Sequence, residues 1–324
     1  VNSSLADQLL INDNTITQIS GSGIAGTGTH LMIETGSPVN ATTNNNHIHD
    51  MIRSGSSGTW HIIKTTSPDQ WTCNGNTIEN LSWSNVSSTG SINGIYSASS
   101  ADHITANNNV IRNLSTPRTG TITGIRENGA VGNKTFMNNL IYQFFTTSGG
   151  AGGASFHGLY CSKGDIEAGN NTIYALNSTG TTGGSSGNIY GINIGGGNSC
   201  SLYSNKIFDL SSTSSNPGVA GLYFSAGTSN QAWNNLIGDI RATAANNSNA
   251  VNGIYISGGT AASLSFNTVW LNCTSTGATF GTNALYASTS VNLTLRNNIL
   301  VNKSVANGSS GRTVAYRRDR KSVV

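Results

Sequence analysis

The sequence predicts an all-β solenoid: a single chain wound into about ten stacked coils of about 32 residues each. Three observations predict it. A motif Asn-x-Ile, or a close relative, recurs ten times at spacings of 30 to 34 residues. A second motif, Gly-Ile or Gly-Leu, stands at a nearly fixed distance before it. Apolar residues within the repeat alternate with period two, the signature of strands rather than helices. A fixed period of this size marks a repeat architecture whose coils bury their apolar faces only by stacking on neighbours.

The asparagines of the first motif are Asn14, Asn46, Asn76, Asn109, Asn139, Asn171, Asn205, Asn235, Asn267 and Asn298. Two residues after each stands Ile16, Ile48, Ile78, Ile111, Ile141, Ile173, Ile207, Ile237, Val269 or Leu300. Three further on, an apolar column runs from Ile19 to Ile240 and breaks at Asn272 and Lys303. In the ninth copy Val269, Leu271 and Cys273 alternate instead, as a strand that runs on. Asparagine suits a recurrent corner because it tolerates left-handed turn conformations. Its amide can also bond to the copies above and below, a ladder of the kind seen in stacked β assemblies.

The second motif reads Gly94-Ile95, Gly124-Ile125, Gly158-Leu159, Gly191-Ile192, Gly221-Leu222 and Gly253-Ile254, with Ala284-Leu285 as a variant. Each repeat therefore holds two or three short strands of fixed length and one Ser/Thr/Gly/Asn-rich loop of variable length. At about 4.8 Å per coil, ten coils make a rod on the order of 48 Å long. The solenoid is expected over residues 1–305, already under way at the N-terminus. A partial coil or irregular end is expected over 306–317, and a non-native tail over 318–324. Asp319-Arg320-Lys321-Ser322-Val323-Val324 resembles the translation of a sequencing adapter, as in a gene from a fragmentary metagenomic assembly.

Composition narrows the class. Of 324 residues, charged ones make up 9% and Asn, Ser, Thr and Gly together about half, too little charge for a coiled coil. The hydrophobic share of 36% argues against disorder. No apolar run reaches the length of a membrane-spanning helix. The formal charge of +3 falls to +1 without Arg318, Asp319, Arg320 and Lys321, which sum to +2, so no nucleic-acid partner is indicated.

The pattern resembles the right-handed, single-stranded parallel β-helix repeats of the pectin-lyase-like superfold. The resemblance covers residues 9 to 305, and the low charge, the long Ser/Thr/Gly loops and a column of tyrosines fit export or cell-surface placement. The resemblance implies polysaccharide lyase or glycoside hydrolase activity as one alternative, with calcium as a cofactor only in the lyase case. The hydrolase motifs Asn-Thr-Asp, Asp-Asp, Gly-His-Gly and Arg-Ile-Lys are absent; His157-Gly158 comes nearest. Cys73, Cys161 and Cys200 fall in apolar columns and are expected to be free and buried. Cys273 faces inward only if its strand continues. Metal-ligand spacings are absent, and no metal is expected.

Three surface features carry candidate chemistry. Arg126, Glu127, His157, Lys163, Asp165 and Glu167 make the most charged neighbourhood, and Arg126, Glu127, Asp165 and Glu167 are the candidate catalytic set. Asp165 and Glu167 alternate with Ile166 and Ala168 and should both point outward, as acid/base or calcium chemistry would need. Asp50, Asp209 and Asp239 share one column; Asp209 and Asp239 could bind a cation, but a polar ladder at a turn accounts for the column without one. Finally, Tyr96, Arg126, Tyr160, Asn193, Tyr223, Tyr255 and Tyr286 stand two residues after the glycine, where side chains should face out. Flat aromatic rings in line suit a polysaccharide or cell-surface glycan. Tyr96, Arg126, Tyr160, Tyr223, Tyr255 and Tyr286 are the expected ligand contacts. A binding, adhesion or structural role is favoured over catalysis.

Overall fold

Three short strands per repeat, each pairing in parallel with its counterparts one repeat away, build the molecule. The computed structural model describes residues 7–18, 23–85, 89–98, 103–117, 119–129, 132–147, 153–180, 187–288 and 290–319. Ile19 of the second apolar column and residues 320–324 of the expected tail lie outside these. Sheet 1 runs from Gln8–Leu10 to Asn292–Arg296, sheet 2 from Thr15–Thr17 to Ile299–Asn302, and sheet 3 from His30–Glu34 to Thr313–Arg318. Every ladder between named strands is parallel and joins strands one repeat apart. Each sheet carries ten successive levels; in sheet 2 one level is split into Leu236–Gly238 and Ile240–Ala242, both paired to Lys206–Ser212. Arg318 closes the last strand and donates to the Val291 carbonyl at 2.7 Å. No helix is long and apolar enough to cross a membrane among the described residues.

The asparagine ladder forms as expected at the corner between sheets 1 and 2. At each step the side-chain amide donates to the Oδ1 of the next ladder asparagine, as from Asn139 to Asn171 at 2.9 Å. The same Oδ1 accepts the Asn139 backbone N–H at 2.9 Å. A second amide hydrogen reaches a main-chain carbonyl, that of Ala106 at 2.9 Å. The ladder is continuous from Asn14 to Asn298. One detail differs from expectation. The left-handed residue is the one before the ladder asparagine: Asp13, Asn45, Gly75, Asn108, Asn138, Asn170, Ser204, Asn234, Phe266 and Asn297. The ladder asparagine is kept for its amide, and its predecessor turns the chain.

The motif glycines close the core. A Cβ on Gly158 would sit 2.6 Å from both the Gly191 carbonyl oxygen and the Ile173 side chain. Gly94, Gly124, Gly191, Gly221 and Gly253 meet the next level and a sheet 2 Ile or Val in the same way. From Gly94 to Gly253 sheet 3 thus approaches sheet 2 too closely for a side chain, and the Asn-x-Ile isoleucine or valine fills that contact. Ile62 takes this column before Gly94 and Ala284 after Gly253. All four cysteines are free and buried, Cys273 included. Burial pushes the Cys73 thiol up to about 12, so it acts as a small apolar residue.

Two buried cations interrupt this apolar interior. Arg53 is fully buried and donates to the carbonyls of Thr59, Gly28, Ser57 and Gly26, with its guanidinium 4.3 Å over Trp83. Lys134 is also buried and donates to the Gly132 carbonyl at 2.7 Å.

Candidate functional site

The parallel register decides which candidate residues meet. Lys64, Tyr96, Arg126, Tyr160, Asn193, Tyr223, Tyr255, Tyr286 and Arg317 lie in one column on sheet 3. The column on the other side of the motif glycine holds His61, Asn93, Thr123, His157, Tyr190 and Ala220. Between them, Thr121, Thr123, Arg126, His157 and Tyr160 line a concavity of about 280 Å³. The two threonines are short, which opens the face there.

Arg126 spans this concavity between aromatic rings. Its Cζ lies 5.7 Å from the centre of Tyr96 and 5.6 Å from that of Tyr160, within cation–π range. Its Nε is buried without a hydrogen-bond partner. His61 stacks on Tyr96 at 4.2 Å. His157 sits edge-on to Tyr160 and Tyr190. The Asn193 amide faces the His157 Nδ1 at 3.2 Å, so a donating amide places the imidazole proton on Nε2. Burial, and then the Arg126 charge, hold His157 down at about 4. Burial holds His61 at about 4 as well, with Lys64 and Arg126 adding to it. Both rings are therefore neutral at pH 7, and Arg126 supplies the positive charge of the concavity.

Towards the C-terminus the column changes character. Tyr223, Tyr255 and Tyr286 stack in sequence, with centres 5.0 and 4.9 Å apart, and Tyr190 of the neighbouring column tilts against Tyr223 at 4.6 Å and 33°. Here the expected flat platform is corrected. Rings stacked along the rod spend their faces on one another and leave only edges to a ligand, and the Tyr223 hydroxyl accepts from Ser257 at 3.1 Å. Tyr286 is only 9% exposed, its hydroxyl donates to Asp319, and burial with that carboxylate pushes it up to about 12.

The charged neighbourhood does not converge. Glu127 points inward and is fully buried. Its carboxylate accepts the backbone N–H groups of Gly129, Ser162 and Lys163 at 2.7, 3.2 and 3.3 Å. Asp165 and Glu167 do point outward, but from sheet 1, where they line a separate concavity of about 240 Å³. There Asp165 accepts the Ser199 N–H at 3.1 Å, and Glu167 accepts the Tyr203 hydroxyl at 2.6 Å. Arg126 is on sheet 3. The four candidate catalytic residues thus face three different environments, because one position along a strand reverses the facing and one corner changes the sheet. No group of three or more His, Cys, Asp or Glu is placed to hold a metal ion among the described residues.

The aspartate column is a set of left-handed turns. Asp50, Asn80, Asn113, Gln143, Ala175, Asp209 and Asp239 all have φ near +50°. Asn80 donates to Asp50 and Asn113 to Asn80, a short polar ladder. Asp209 and Asp239 are bridged by Arg241, which supplies the cation from within the chain.

One outward column escaped the sequence reading. Three residues after the ladder asparagine, sheet 2 presents Arg112, Tyr142, Tyr174 and Phe208, then Gly238 and Trp270. The signal was available: the column arithmetic that found the tyrosines of sheet 3, applied to the other motif, finds it. No family model, no curated protein and no solved structure matches this chain.

Proposed function

We propose that this protein is a non-catalytic, exported or cell-surface β-helix of the pectin-lyase-like superfold, and that it binds glycans on the outer face of sheet 3. The observation that carries the reading is the Arg126 concavity. A guanidinium with a buried, unpartnered Nε lies between two tyrosine rings, beside threonine hydroxyls and a neutral imidazole. Guanidinium forks suit carboxylate or sulfate groups, and tyrosine edges and threonines suit sugar hydroxyls. Tyr223 and Tyr255 extend the contact line through their ring edges, and the line ends at Tyr286, which is buried with its hydroxyl on Asp319. Low charge and Ser/Thr/Gly-rich turns suit display outside the cell. The lyase or hydrolase alternative needs carboxylates that converge on one substrate. Glu127 is spent on three backbone N–H groups, and Asp165 and Glu167 face away on sheet 1, which favours binding.

The test is a glycan array on the whole chain, followed by calorimetry on each hit. Arg126→Gln and Tyr160→Ala should each weaken binding at least tenfold while circular dichroism and melting stay near wild type. Folded variants that bind every hit as wild type does would overturn the reading. So would turnover of any polysaccharide in the panel, with or without calcium.

A further inference from the structure

The aromatic column of sheet 2 has a missing rung. Tyr142 and Tyr174 stack with centres 4.8 Å apart and planes 6° apart; Tyr174 and Phe208 follow at 5.0 Å and 6°. Gly238 comes next, after Ile237, which pairs with Ile207; Gly238 itself pairs with Trp270. Phe208 and Trp270 are thus two levels apart, about 9.6 Å by strand spacing, with only a glycine between them. Both are open to solvent, 39% and 46% exposed.

The fold does not ask for this glycine. Gly238 is absent from the positive-φ residues. A Cβ there would meet only the Trp270 carbonyl oxygen at 3.4 Å and the Trp270 Cβ at 3.9 Å, which is ordinary contact. The motif glycines differ, since each of those would clash. Gly238 closes the short strand Leu236–Gly238 just before the left-handed Asp239, and a glycine in a strand marks a bulge, a bend, or a place where a ligand or another backbone approaches. The base of the gap is open, since no atom of Phe208 and no ring atom of Trp270 lies within 4 Å of that Cβ.

The gap has polar and apolar sides. On one side of Gly238 along its strand stands Leu236, half exposed. On the other stand Asp239 and Arg241, and Arg241 bridges Asp239 to Asp209 of the preceding level. A pyranose ring has two C–H faces and an equatorial rim of hydroxyls. Its faces suit rings about 4.8 Å away on either side, and its rim suits carboxylates and a guanidinium already held in place. A purely aromatic ligand would fill the gap but leave the charged side unused.

We infer that the Gly238 gap is a binding site for one pyranose unit of a glycan, held between Phe208 and Trp270 with its hydroxyls on Asp209, Asp239 and Arg241. The site shares a ligand class with the sheet 3 face but no residue, so each stands or falls alone.

The experiment uses the whole chain with a panel of methyl pyranosides and oligosaccharides, and p-cresol as aromatic probe, read by calorimetry and tryptophan fluorescence. Some member of the sugar panel should bind. Gly238→Tyr should complete the ladder, raise the melting temperature and remove that binding; Gly238→Thr should remove it with melting near wild type. Trp270→Ala should weaken it at least tenfold, and Arg126→Gln should leave it unchanged. The inference is overturned if no sugar binds, or if p-cresol binds and sugars do not. It is overturned equally if Gly238→Tyr or Gly238→Thr binds as wild type, or if both glycine variants melt well below wild type. Binding that follows Arg126 rather than Gly238 would return the ligand to sheet 3 and also overturn it.

Discussion

Glycine occupies two kinds of place in this solenoid. In sheet 3 it forms a column from Gly94 to Gly253 where each member lies against the isoleucine or valine of the following repeat. In sheet 2, Gly238 stands in an outward column of aromatic rings and touches almost nothing. The first kind is imposed by the close approach of two sheets. The second is a departure from a column that could hold a ring. The comparison teaches that in a repeat fold each level is the control for the next: a residue type shared along a column reflects packing, and one that breaks the column without steric cause points to something outside the fold.

The largest effect should come from attacking the packed side of this comparison. Ile141 and Ile173 fill the contacts against Gly124 and Gly158 and are fully buried. Ile141→Asp or Ile173→Asp would bury an unpaired charge mid-rod and should cost more than about 4 kcal/mol. Urea unfolding would measure it, and a variant as stable as wild type would break the packing account. Next comes the ladder that holds the neighbouring corner. Asn171→Ala removes the acceptor for both the backbone and side-chain N–H of Asn139 and frees the Phe136 carbonyl. That should cost roughly 3 kcal/mol, since several buried polar groups lose partners.

The paired glycine test is sharper although smaller. Gly158→Ala places a methyl 2.6 Å from backbone and side chain and should cost about 1–3 kcal/mol by overpacking. Gly238→Ala meets nothing closer than 3.4 Å and should gain roughly 0.5–1 kcal/mol from lower backbone freedom in the unfolded chain. The two substitutions should therefore differ in sign in the same urea experiment. Equal costs would mean that sheet 2 needs its glycine as sheet 3 does.

Acid should separate the two outer faces as well. His157 and His61 on sheet 3 are held at about 4, below the ordinary value of 6.5. A depressed imidazole pKa favours the folded state above pH 6.5, and that contribution is lost as pH falls from 6.5 towards 4. Glu79 and Asp50 on sheet 2 are also held below their ordinary values, Asp50 by His49 and Asn80, Glu79 by His47 and Arg112 against its own burial. Their contribution is lost only as pH falls through the carboxylate range. Melting temperature between pH 7 and 4.5 should thus fall less in His157→Asn than in wild type. An unchanged pH profile in that variant would show that the sheet 3 histidines do not couple folding to protons.

Much of the fold was legible because repeats turn sequence into columns. The ten ladder asparagines, the inward isoleucines and the buried thiols at Cys73, Cys161 and Cys200 all follow from alignment of the chain with itself. What stayed hidden depends on facing and on the third dimension. Glu127 follows Arg126 in sequence yet lies inside the core, because adjacent residues of a strand face opposite ways. Asp165 and Glu167 are outward but on another sheet, since the corner between sheets 3 and 1 intervenes. The tyrosines were placed correctly in line, but their mutual stacking follows from level spacing and ring orientation, which a column of letters does not carry. The buried guanidinium of Arg53 was equally out of reach: its four acceptors are main-chain carbonyls, and any residue type provides those.

The smallest effect tests the converse of Gly238, a bulky residue where the fold asks for a small one. The corner residue before each ladder asparagine is left-handed, and six of the ten are asparagine, with Asp13, Gly75 and Ser204 among the rest. Phe266 is the aromatic exception, at φ 58° and 55% exposed. Left-handed backbone costs an ordinary L-residue roughly 1–2 kcal/mol, and asparagine lowers that cost through local hydrogen bonds. Its ring gains little in return, because more than half of it is in water. Phe266→Asn should therefore stabilise the chain by about 0.5–1 kcal/mol, read as a higher urea midpoint at unchanged slope. A lower midpoint would mean that the ring holds the corner in a way its exposure does not reveal, and that column breaks must be judged by energy before they are read as sites.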